Sequence, residues 1–253
     1  MLDNAKLIDQ SLIGTFQYFG LQEKQIDEAK YYLIHTGCNH PLWNMIVLPD
    51  IVIADQMNKM EEIFKTQKLP FAWWVDEKNL SSEMLKHFEN DNYTSFGNVP
   101  GRVFELKNYH DQLDNQDVRV ITEIKEFKKW IQALAQGFGF SNDVCYVYFN
   151  KLSKYIGNNK TFIPLAAYDG DNIIATASII FSNGIAGFYN GSTLPEYRNR
   201  RISSSIYKAR FKILKEMGID KVVIQTSPMS TNLAQELGFK QYNNYKIYCQ
   251  IKN

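Results

Sequence analysis

One stretch of the chain, 193-TLPEYRNRRISSSIYKARFKILKEMG-218, restricts the possible folds more than any other. It reads as the end of a β-strand, a short basic turn and a helix that ends at Gly218. A strand that runs into a helix leaves free backbone N–H groups at the helix start, where the helix dipole favours negative charge. The stretch therefore predicts an anion-binding site, although a solvated basic face would have the same composition. The helix is predicted from apolar residues at helical spacing, which are Ile202, Ile206, Ala209, Ile213 and Met217.

The length of the chain favours two domains. With 253 residues it exceeds the usual size of one domain, and a hydrophobic content of 45% is sufficient for real cores. Residues 108–117 are polar and have no periodic apolar positions, which is typical of a linker. We therefore predict a first domain over residues 1–110 and a second over residues 118–253.

Hydrophobic periodicity predicts the elements of each half. In the first half, helices are predicted at 4–20, at 52–67 and around Met84, and strands at 31–36, 43–49, 71–75, 93–97 and 102–106. In the second half, helices are predicted from Thr122 to Gly137, up to Gly218 and near 231–237, and strands at 162–168, 173–181, 185–189, 221–227 and 245–251. This mixture predicts an α/β fold of the α+β type, with one mixed sheet in each half.

Both halves end with the same order of elements, which indicates a duplicated architecture. In the second half, 233-LAQELGFKQYNNYKIYCQI-251 reads as helix end, glycine, aromatic residue, turn and strand. In the first half, 85-LKHFENDNYTSFGNVPGRVFEL-106 has the same order, with Asn92 and Tyr93 in place of Gly238 and Phe239. Asparagine is the non-glycine residue that best tolerates the left-handed conformation at a helix end. The alternative is that many α/β proteins contain such a pair of helix and strand.

Charge and cysteine content argue against several classes of partner. A net charge of +1 gives no general reason to expect nucleic acid or a membrane surface as a partner. Cys38, Cys145 and Cys249 are widely separated, so we predict thiols in a reducing compartment and no metal site. The N-terminal residues lack the plan of a signal peptide, and no apolar run approaches the roughly 20 residues of a membrane span. A cytoplasmic protein is expected, and its oligomeric state is left open.

The order of elements and two motifs within residues 118–251 resemble the GNAT superfamily of acyl-CoA N-acyltransferases. The segment LPEYRNRRIS is similar to the acyl-CoA motif of that family, V-x-P-x-x-R-G-x-G-I-G/A, and ELGFKQY to its closing motif, E-x-x-GF. In the first half, 36-TGCNHPLWNMIVLP-49, 69-LPFAWWVDE-77 and 99-VPGRVFEL-106 resemble the N-terminal half of a bacterial subgroup of two-domain GNAT proteins, a degenerate GNAT-like unit. The resemblance implies tandem GNAT-like folds and acetyl-CoA as the cofactor.

The resemblance also implies which residues bind the cofactor. The splayed strand end near Gly191 would contact the pantetheine arm, and main-chain N–H groups of the turn would surround the pyrophosphate. Residues at the end of the next strand would border the thioester. The implied cofactor-binding residues are Gly191, Ser192, Thr193, Arg198, Asn199, Arg200, Arg201, Ile202, Ser203, Ser204, Thr226, Ser227 and Asn232.

The turn departs from the family pattern where Arg201 and Ser203 replace glycines. Glycine is favoured there because the backbone approaches the phosphates closely. A residue with a Cβ atom keeps the N–H groups in place if its φ stays negative, and the side chain of Ser203 is small. We therefore expect binding to be retained, with Arg201 either directed outward, where it adds a positive charge, or crowding the site.

The catalytic residues implied by the family are also incomplete. Many members carry a tyrosine five residues before the phenylalanine of the closing motif, where it acts as general acid to the departing thiolate, and this chain has Ala234. The strand at 185–189 contains no Glu or Asp that would act as a base. The catalytic residue is therefore unknown, with Tyr189, Tyr242 and Tyr245 as candidates that are equally compatible with half-buried strand positions.

Three functions are compatible with these features. The first is an N-acetyltransferase that transfers an acetyl group from acetyl-CoA to an amine of a small molecule or a peptide. The second is a catalytically degenerate GNAT protein that serves as an acyl-CoA-binding or regulatory module, which Ala234 and Arg201 keep open. The third is an aminoacyl-tRNA-dependent transferase, since some of these pair two GNAT-like units, but the chain has no basic surplus to hold a tRNA.

Overall fold

The computed structural model describes residues 3–48, 51–110, 116–158 and 160–250. The α-helices are α1 (Asn4–Gln17), α2 (Ala54–Thr66), α3 (Ser82–Asn90), α4 (Ile124–Phe138), α5 (Asn142–Leu152), α6 (Ile202–Glu216) and α7 (Pro228–Glu236). The strands are β1 (Gln22–Ile26), β2 (Ala29–His35), β3 (Asn44–Leu48), β4 (Ala72–Asp76), β5 (Thr94–Glu105), β6 (Val118–Val120), β7 (Phe162–Asp169), β8 (Asn172–Ser182), β9 (Ile185–Thr193), β10 (Lys221–Gln225) and β11 (Lys240–Cys249).

All these strands belong to one continuous mixed sheet, in the order β1-β2-β3-β4-β11-β5-β10-β9-β8-β7-β6. The expectation of a separate sheet for each half is therefore wrong. The last strand of the first half, β5, pairs with β10 of the second half, and the last strand of the second half, β11, pairs with β4 of the first. Each half thus completes the sheet of the other, and β5 and β11 pair with each other at its centre.

The arrangement repeats on both sides of the central β5–β11 pair. On one side β4 follows α2 and pairs in parallel with β3, and on the other side β10 follows α6 and pairs in parallel with β9. This repetition agrees with the duplicated architecture expected from the sequence. The domain limits of 1–110 and 118–253 stay a prediction, and residues 111–115 of the predicted linker lie outside the described residues.

The two helix ends that precede the central strands have the same geometry. Asn92 and Gly238 both have positive φ, 58° and 95°. The N–H of Tyr93 donates to the carbonyl of Phe88 over 2.7 Å, and the N–H of Phe239 donates to that of Ala234 over 3.0 Å. The predicted exchange of glycine for asparagine at the end of the helix is thereby confirmed.

Helices cover both faces of the sheet. Successive strand residues point to opposite faces, and the central strands carry apolar residues on both of them. In β5, Val103 belongs to the core under α1, whereas Phe104 belongs to the core under α6 and α7. In β4, Trp74 packs in the same core as Val103, and Trp73 packs under α2 and α3. The sheet therefore separates two apolar layers, and both tryptophans of β4 are core residues.

Two predicted boundaries were wrong because tertiary contacts decide them. The two strands predicted at 93–97 and 102–106 are parts of one strand, β5 (Thr94–Glu105), because β10 and β11 pair with it on both sides. Helix α4 continues past Gly137 and is closed by Gly139, which has a φ of 73°. The predicted last strand ends at Cys249, and Ile251 lies outside the described residues.

Three elements were not predicted, and each lacks a clear periodic signal. Strand β1 is exposed along almost its whole length at the edge of the sheet, so it shows no apolar alternation. Strand β6 has three residues and lies at the other edge. Helix α5 is built largely from Val, Tyr, Cys, Asn and Asp, which are weak helix formers.

The described residues contain no helix that combines the length and the apolar character needed to cross a membrane. Cys38, Cys145 and Cys249 are free thiols, and the first and the last of them are buried. Both buried thiols belong to apolar cores, where a free cysteine packs as a small apolar residue.

Candidate functional site

Strands β9 and β10 enclose a cleft because they separate after a short paired segment. They pair from Ala186 to Phe188 on β9, opposite Val222 to Ile224 on β10. Beyond Phe188, β9 continues to Thr193 without β10 as its neighbour. The opening holds a cleft of about 470 Å³, lined by β9, the turn after it, α6, β10 and the start of α7.

A bulge at Asn190 turns β9 away from β10. The pairing of β9 with β8 shifts register there, and Asn190 has a φ of 57°. Its side-chain oxygen accepts a hydrogen bond from the hydroxyl of Tyr148 (2.6 Å), and its amide donates to the hydroxyl of Ser178 (2.9 Å). The hydroxyl of Thr176 donates to its main-chain carbonyl (3.1 Å). These contacts hold the bulge, and therefore the shape of the cleft.

The start of α6 faces this cleft and has the properties of an anion site. The N-cap residue of α6 is Arg201, and no side chain among the described residues caps the helix there. The N–H of Arg198 donates to the carbonyl of Pro195, and the first main-chain hydrogen bond of the helix is donated by Ser205 to the carbonyl of Arg201. Between them, the N–H groups of residues 199–204 have no main-chain acceptor within the described part of the chain. Since α6 is 15 residues long, its full dipole acts on this end. Free N–H groups and the dipole together favour a phosphate.

The turn before α6 keeps the backbone of a glycine turn although it contains no glycine. Asn199 and Arg201 both have positive φ, 63° and 62°. A negative φ was the condition under which a residue with a Cβ atom would keep the N–H groups in place, and Arg201 does not meet it. Because the left-handed conformation costs a residue with a Cβ atom roughly 1–2 kcal/mol, Arg201 is a strained position at the mouth of the cleft.

We expect Arg201→Gly to stabilise the protein by up to about 1 kcal/mol, since it removes this strain at the cost of extra freedom in the unfolded chain. Arg200→Gly is the matched control, because it removes the same charge from the neighbouring position, which has no positive φ. That variant should lose about 0.5–1 kcal/mol. Urea unfolding of the three proteins measures both values, and a loss of stability in Arg201→Gly would contradict the strain.

Arg198 fixes the turn to the rest of the cleft. Its Nε donates to the carbonyl of Thr193 at 3.1 Å, and its Nη2 donates to the carbonyl of Gly137 at 3.2 Å. Gly137 is also close to Ser192, because a Cβ atom at Gly137 would lie 1.9 Å from the Oγ of Ser192, which would then have to move. The side chain of Arg198 thus joins the end of β9 to the last turn of α4.

The structure brings together most of the residues that the family resemblance implies for the cofactor. Arg200 is exposed and lies over the ring of Tyr197, outside the lining of the cleft. Thr226 is buried and bonded to Arg102 and Thr231, and Asn232 is exposed. Their cofactor roles stay predictions. The implied residues that line the cleft are Gly191, Ser192, Thr193, Arg198, Asn199, Arg201, Ile202, Ser203, Ser204 and Ser227.

The three candidate tyrosines lie in different environments. Tyr189 lines the cleft, its hydroxyl is 3.0 Å from that of Ser11 on α1, and burial raises its pKa. Tyr242 is 43% exposed on β11. Tyr245 is buried in the core under α1 and donates a hydrogen bond to Asp9. Of the three, Tyr189 is the one that the fold places at the cleft.

Ala234, at the position of the family tyrosine, is fully buried on α7. It packs in the core that contains Phe239 and Phe104, whereas the preceding residue, Leu233, lines the cleft. A tyrosine introduced at position 234 would therefore have to displace core side chains.

The lining of the cleft is strongly basic. Arg198, Arg201 and Arg210 contribute to it, and the described lining contains no Asp, Glu or His side chain. Arg210 was not among the sequence-predicted cofactor residues, because the apolar stripe of α6 predicts a position for it off the buried side. That prediction is wrong, since Arg210 is among the buried residues of the helix. The electrostatics of the cleft thus favour an anionic ligand.

The equivalent position of the first half is closed. Strand β3 remains paired with β4 up to Leu48, the last residue described before position 51, so no opening separates the two strands over their described length. At the start of α2, the N–H of Ala54 donates to Glu83 and that of Ile53 donates to Gln56, both over 3.1 Å. The side chains therefore occupy the N–H groups that are free at α6, and Glu83 adds negative charge. This agrees with a degenerate first unit.

A cluster of polar side chains in the first half is held together by hydrogen bonds and a lysine. Glu61, His87 and Asp91 approach one another closely enough to hold a metal ion. The amine of Lys65 already lies 2.5 Å from Glu61 and 3.2 Å from Asp91. His87 and Trp73 also bond to Glu61 at 3.0 Å. The lysine supplies the positive charge of this cluster.

Comparison with known proteins agrees with this geometry. No protein-family model matches the sequence, and a search of the curated proteins finds no match. A GCN5-related N-acetyltransferase from Kribbella flavida has 9% identity and a TM-score of 0.72, covering 100% of this chain and 97% of its own. A second, from Sphaerobacter thermophilus, has 10% identity and a TM-score of 0.63, covering 98% and 93%. A tandem GNAT protein from the clavulanic acid biosynthesis pathway has 8% identity and a TM-score of 0.58, covering 92% and 84%.

The chain therefore has the mixed α/β fold of the GNAT acyl-CoA N-acyltransferases. Because the likeness extends over both halves, this fold is present in its tandem form. The second half carries the open cleft between β9 and β10, whereas β3 and β4, the equivalent strands of the first half, are paired over their described length.

Proposed function

We propose that the protein is an N-acyltransferase that takes an acyl group from acetyl-CoA or a related acyl-CoA and transfers it to an amine. The observation that carries the proposal is the uncapped start of α6 at the mouth of the cleft between β9 and β10. Its free N–H groups would hold the pyrophosphate of the cofactor. The open part of β9, from Gly191 to Thr193, would supply main-chain groups to the pantetheine arm.

The chemistry would depend on position more than on dedicated acids and bases. The cleft would hold the amine against the thioester carbon, and main-chain N–H groups of β9 would stabilise the negative charge on its oxygen. Since the described lining has no carboxylate or imidazole, the amine would lose its proton to water or be neutral already. Tyr189, whose phenol stays protonated because burial raises its pKa, would donate a hydrogen bond to the departing thiolate.

The lining also bears on the acceptor. A cleft with three arginines and no acidic side chain within the described residues repels a strongly cationic amine such as a polyamine. An amine of low basicity, or one that carries a negative group, fits better. Within the small-molecule and peptide amines, we propose acceptors of that kind.

The alternative is a binding or regulatory module that holds acyl-CoA without turning it over. The replacement of the family tyrosine by the buried Ala234 and the lack of an acid–base pair in the described lining favour it. Both functions need the same cleft, so binding alone does not distinguish them. Turnover does.

The free thiols also bear on the location of the protein. Cys38, Cys145 and Cys249 form no disulfide with one another. Unpaired cysteines in a chain of this size are typical of a reducing compartment. We propose a cytoplasmic location on this ground.

The test has two stages. At a hundred times its dissociation constant, CoA or acetyl-CoA should stabilise the fold by about 2.7 kcal/mol. Thiol release with a panel of amines then measures turnover, and Tyr189→Phe should lower kcat by roughly 10²-fold or more while CoA affinity is unchanged. If millimolar CoA does not change the melting temperature, the cleft is not a CoA site. If CoA binds but no amine is acylated, the protein is a binding module and not an enzyme.

A further inference from the structure

Arg210 places a buried positive charge on the wall of the cleft. It lies on α6, lines the cleft and is 2% exposed. Its guanidinium carbon is 4.0 Å from the ring centre of Phe188 and 4.4 Å from that of Tyr207. Nη1 makes a long hydrogen bond of 3.5 Å to the carbonyl of Ser178, and Nε has no partner among the described residues.

This charge has no counter-charge in the part of the chain that the structure describes. None of the ion pairs there includes Arg210. Burial lowers its pKa to about 10, so it stays charged at neutral pH, and no carboxylate opposes this shift. Arg102, which is equally buried, has the side chains of Thr226 and Gln241 as partners. The partners of Arg210 among the described residues are the side chain of Tyr207 and the carbonyl of Ser178, and neither is a carboxylate. A buried charge without a charged partner is unfavourable unless a ligand supplies one.

Arg210 lies at the inner end of the cleft, away from the proposed phosphate site. Eight residues separate it from Ile202 at the start of α6, which is roughly 12 Å along the helix. The start of α6 lies beside the open end of β9, where the hydroxyls of Ser203 and Thr193 are bonded over 3.1 Å. Arg210 lies on Phe188, the last β9 residue that pairs with β10. An acyl-CoA held by its pyrophosphate at the outer end and extended along β9 would place its acyl group near Arg210.

We propose that the acyl group selected by this cleft ends in a carboxylate, which forms an ion pair with Arg210. The donor class is then the CoA thioester of a short dicarboxylic acid, such as the malonyl, succinyl or glutaryl thioester. The inference rests on the proposed function, because it names the donor of that same site. It replaces acetyl-CoA as the preferred donor and keeps the reaction.

The reaction balances with this donor as it does with acetyl-CoA. The amine nitrogen attacks the thioester carbon, an N–C bond forms and the C–S bond breaks. The nitrogen loses one proton, and the CoA thiolate takes one up. The distal carboxylate is unchanged and remains in the amide product, so no further reactant is needed.

The experiment measures the affinity of the protein for CoA, butyryl-CoA and succinyl-CoA by titration calorimetry. Butyryl and succinyl groups have the same number of carbons and differ in the terminal carboxylate. A charge-assisted pair with Arg210 should make succinyl-CoA bind roughly ten- to hundredfold more tightly than butyryl-CoA. Equal affinities would overturn the inference alone. No binding of any of the three would overturn the proposed function, and the inference with it.

Two variants assign the preference to Arg210. Arg210→Met keeps the length of the side chain without its charge, and it should make the affinities for succinyl-CoA and butyryl-CoA equal. The ratio of the two affinities is the readout, because the charge of Arg210 also contributes to the basic lining that attracts CoA. Lys212→Met is the control, because it removes the same charge from an exposed position of α6, and it should keep the preference. A preference that persists in Arg210→Met would overturn the assignment. If that variant does not fold, Arg210→Gln takes its place. Its ratio of succinyl-CoA to butyryl-CoA affinity is then compared with that of the wild-type protein.

Discussion

Neither half of the chain is expected to fold when it is produced alone. Both neighbours of β5 in the sheet, β10 and β11, belong to the second half, and both neighbours of β11, β4 and β5, belong to the first. A fragment of residues 1–110 or 116–253 would therefore leave its last strand without any partner. It would also divide the core under α1, which joins Ile8 and Val103 to Val223 and Ile247. Unpaired strands with exposed apolar surface aggregate.

Co-expression measures this directly. The two fragments together should form a 1:1 complex on size-exclusion chromatography with the circular dichroism of the intact chain, whereas each alone should be insoluble or unfolded. The intact chain with a protease site inserted within residues 111–115 is the control, and it should remain assembled after cleavage. A monomeric fragment 116–253 that unfolds cooperatively would show that the exchanged strands are dispensable.

Ser203→Asp is expected to abolish CoA binding without harming the fold. Ser203 lies in the first turn of α6 and lines the cleft. A carboxylate there would lie about 4 Å from a bound pyrophosphate, where the repulsion at an effective dielectric constant of 20 is about 4 kcal/mol. This is on the order of a thousandfold loss of affinity. The same charge interacts favourably with the helix dipole, so the free protein should gain about 0.3–1 kcal/mol.

Ser82→Asp provides the matched control for this variant. Ser82 is the first residue of α3 and is exposed, and α3 belongs to the half without the open cleft. The control should gain a similar stability and keep its affinity for CoA. Titration calorimetry and urea unfolding of both variants give the two quantities, and CoA binding by Ser203→Asp that equals wild type would rule out the start of α6 as the pyrophosphate site.

Local interactions explain why much of the fold was predictable. Of the apolar residues that predicted α6, Ile202 and Ile206 are buried, Ala209 and Ile213 are half-buried, and Met217 is exposed just after the helix. The helix itself was predictable because helical periodicity is a property of neighbouring residues. Asn92 in place of Gly238 predicted two equivalent helix ends, since the left-handed conformation restricts the residue type there. The basic turn was also recognisable, and the structure places Arg198 and Arg201 on one cleft.

What the sequence determined by itself was thus most of the helices and strands, their repetition in two halves, and the strand, turn and helix that surround the cleft. The tertiary structure alone decided the rest. The exchange of β5 and β11 depends on pairing between residues more than 100 positions apart, which leaves no local pattern. The left-handed backbone of Arg201 and the unpaired burial of Arg210 are likewise imposed by the packing of α6 on β9. Conformations and charges that are locally unfavourable are stable where the surrounding fold holds them, and no intrinsic preference of the residue predicts them.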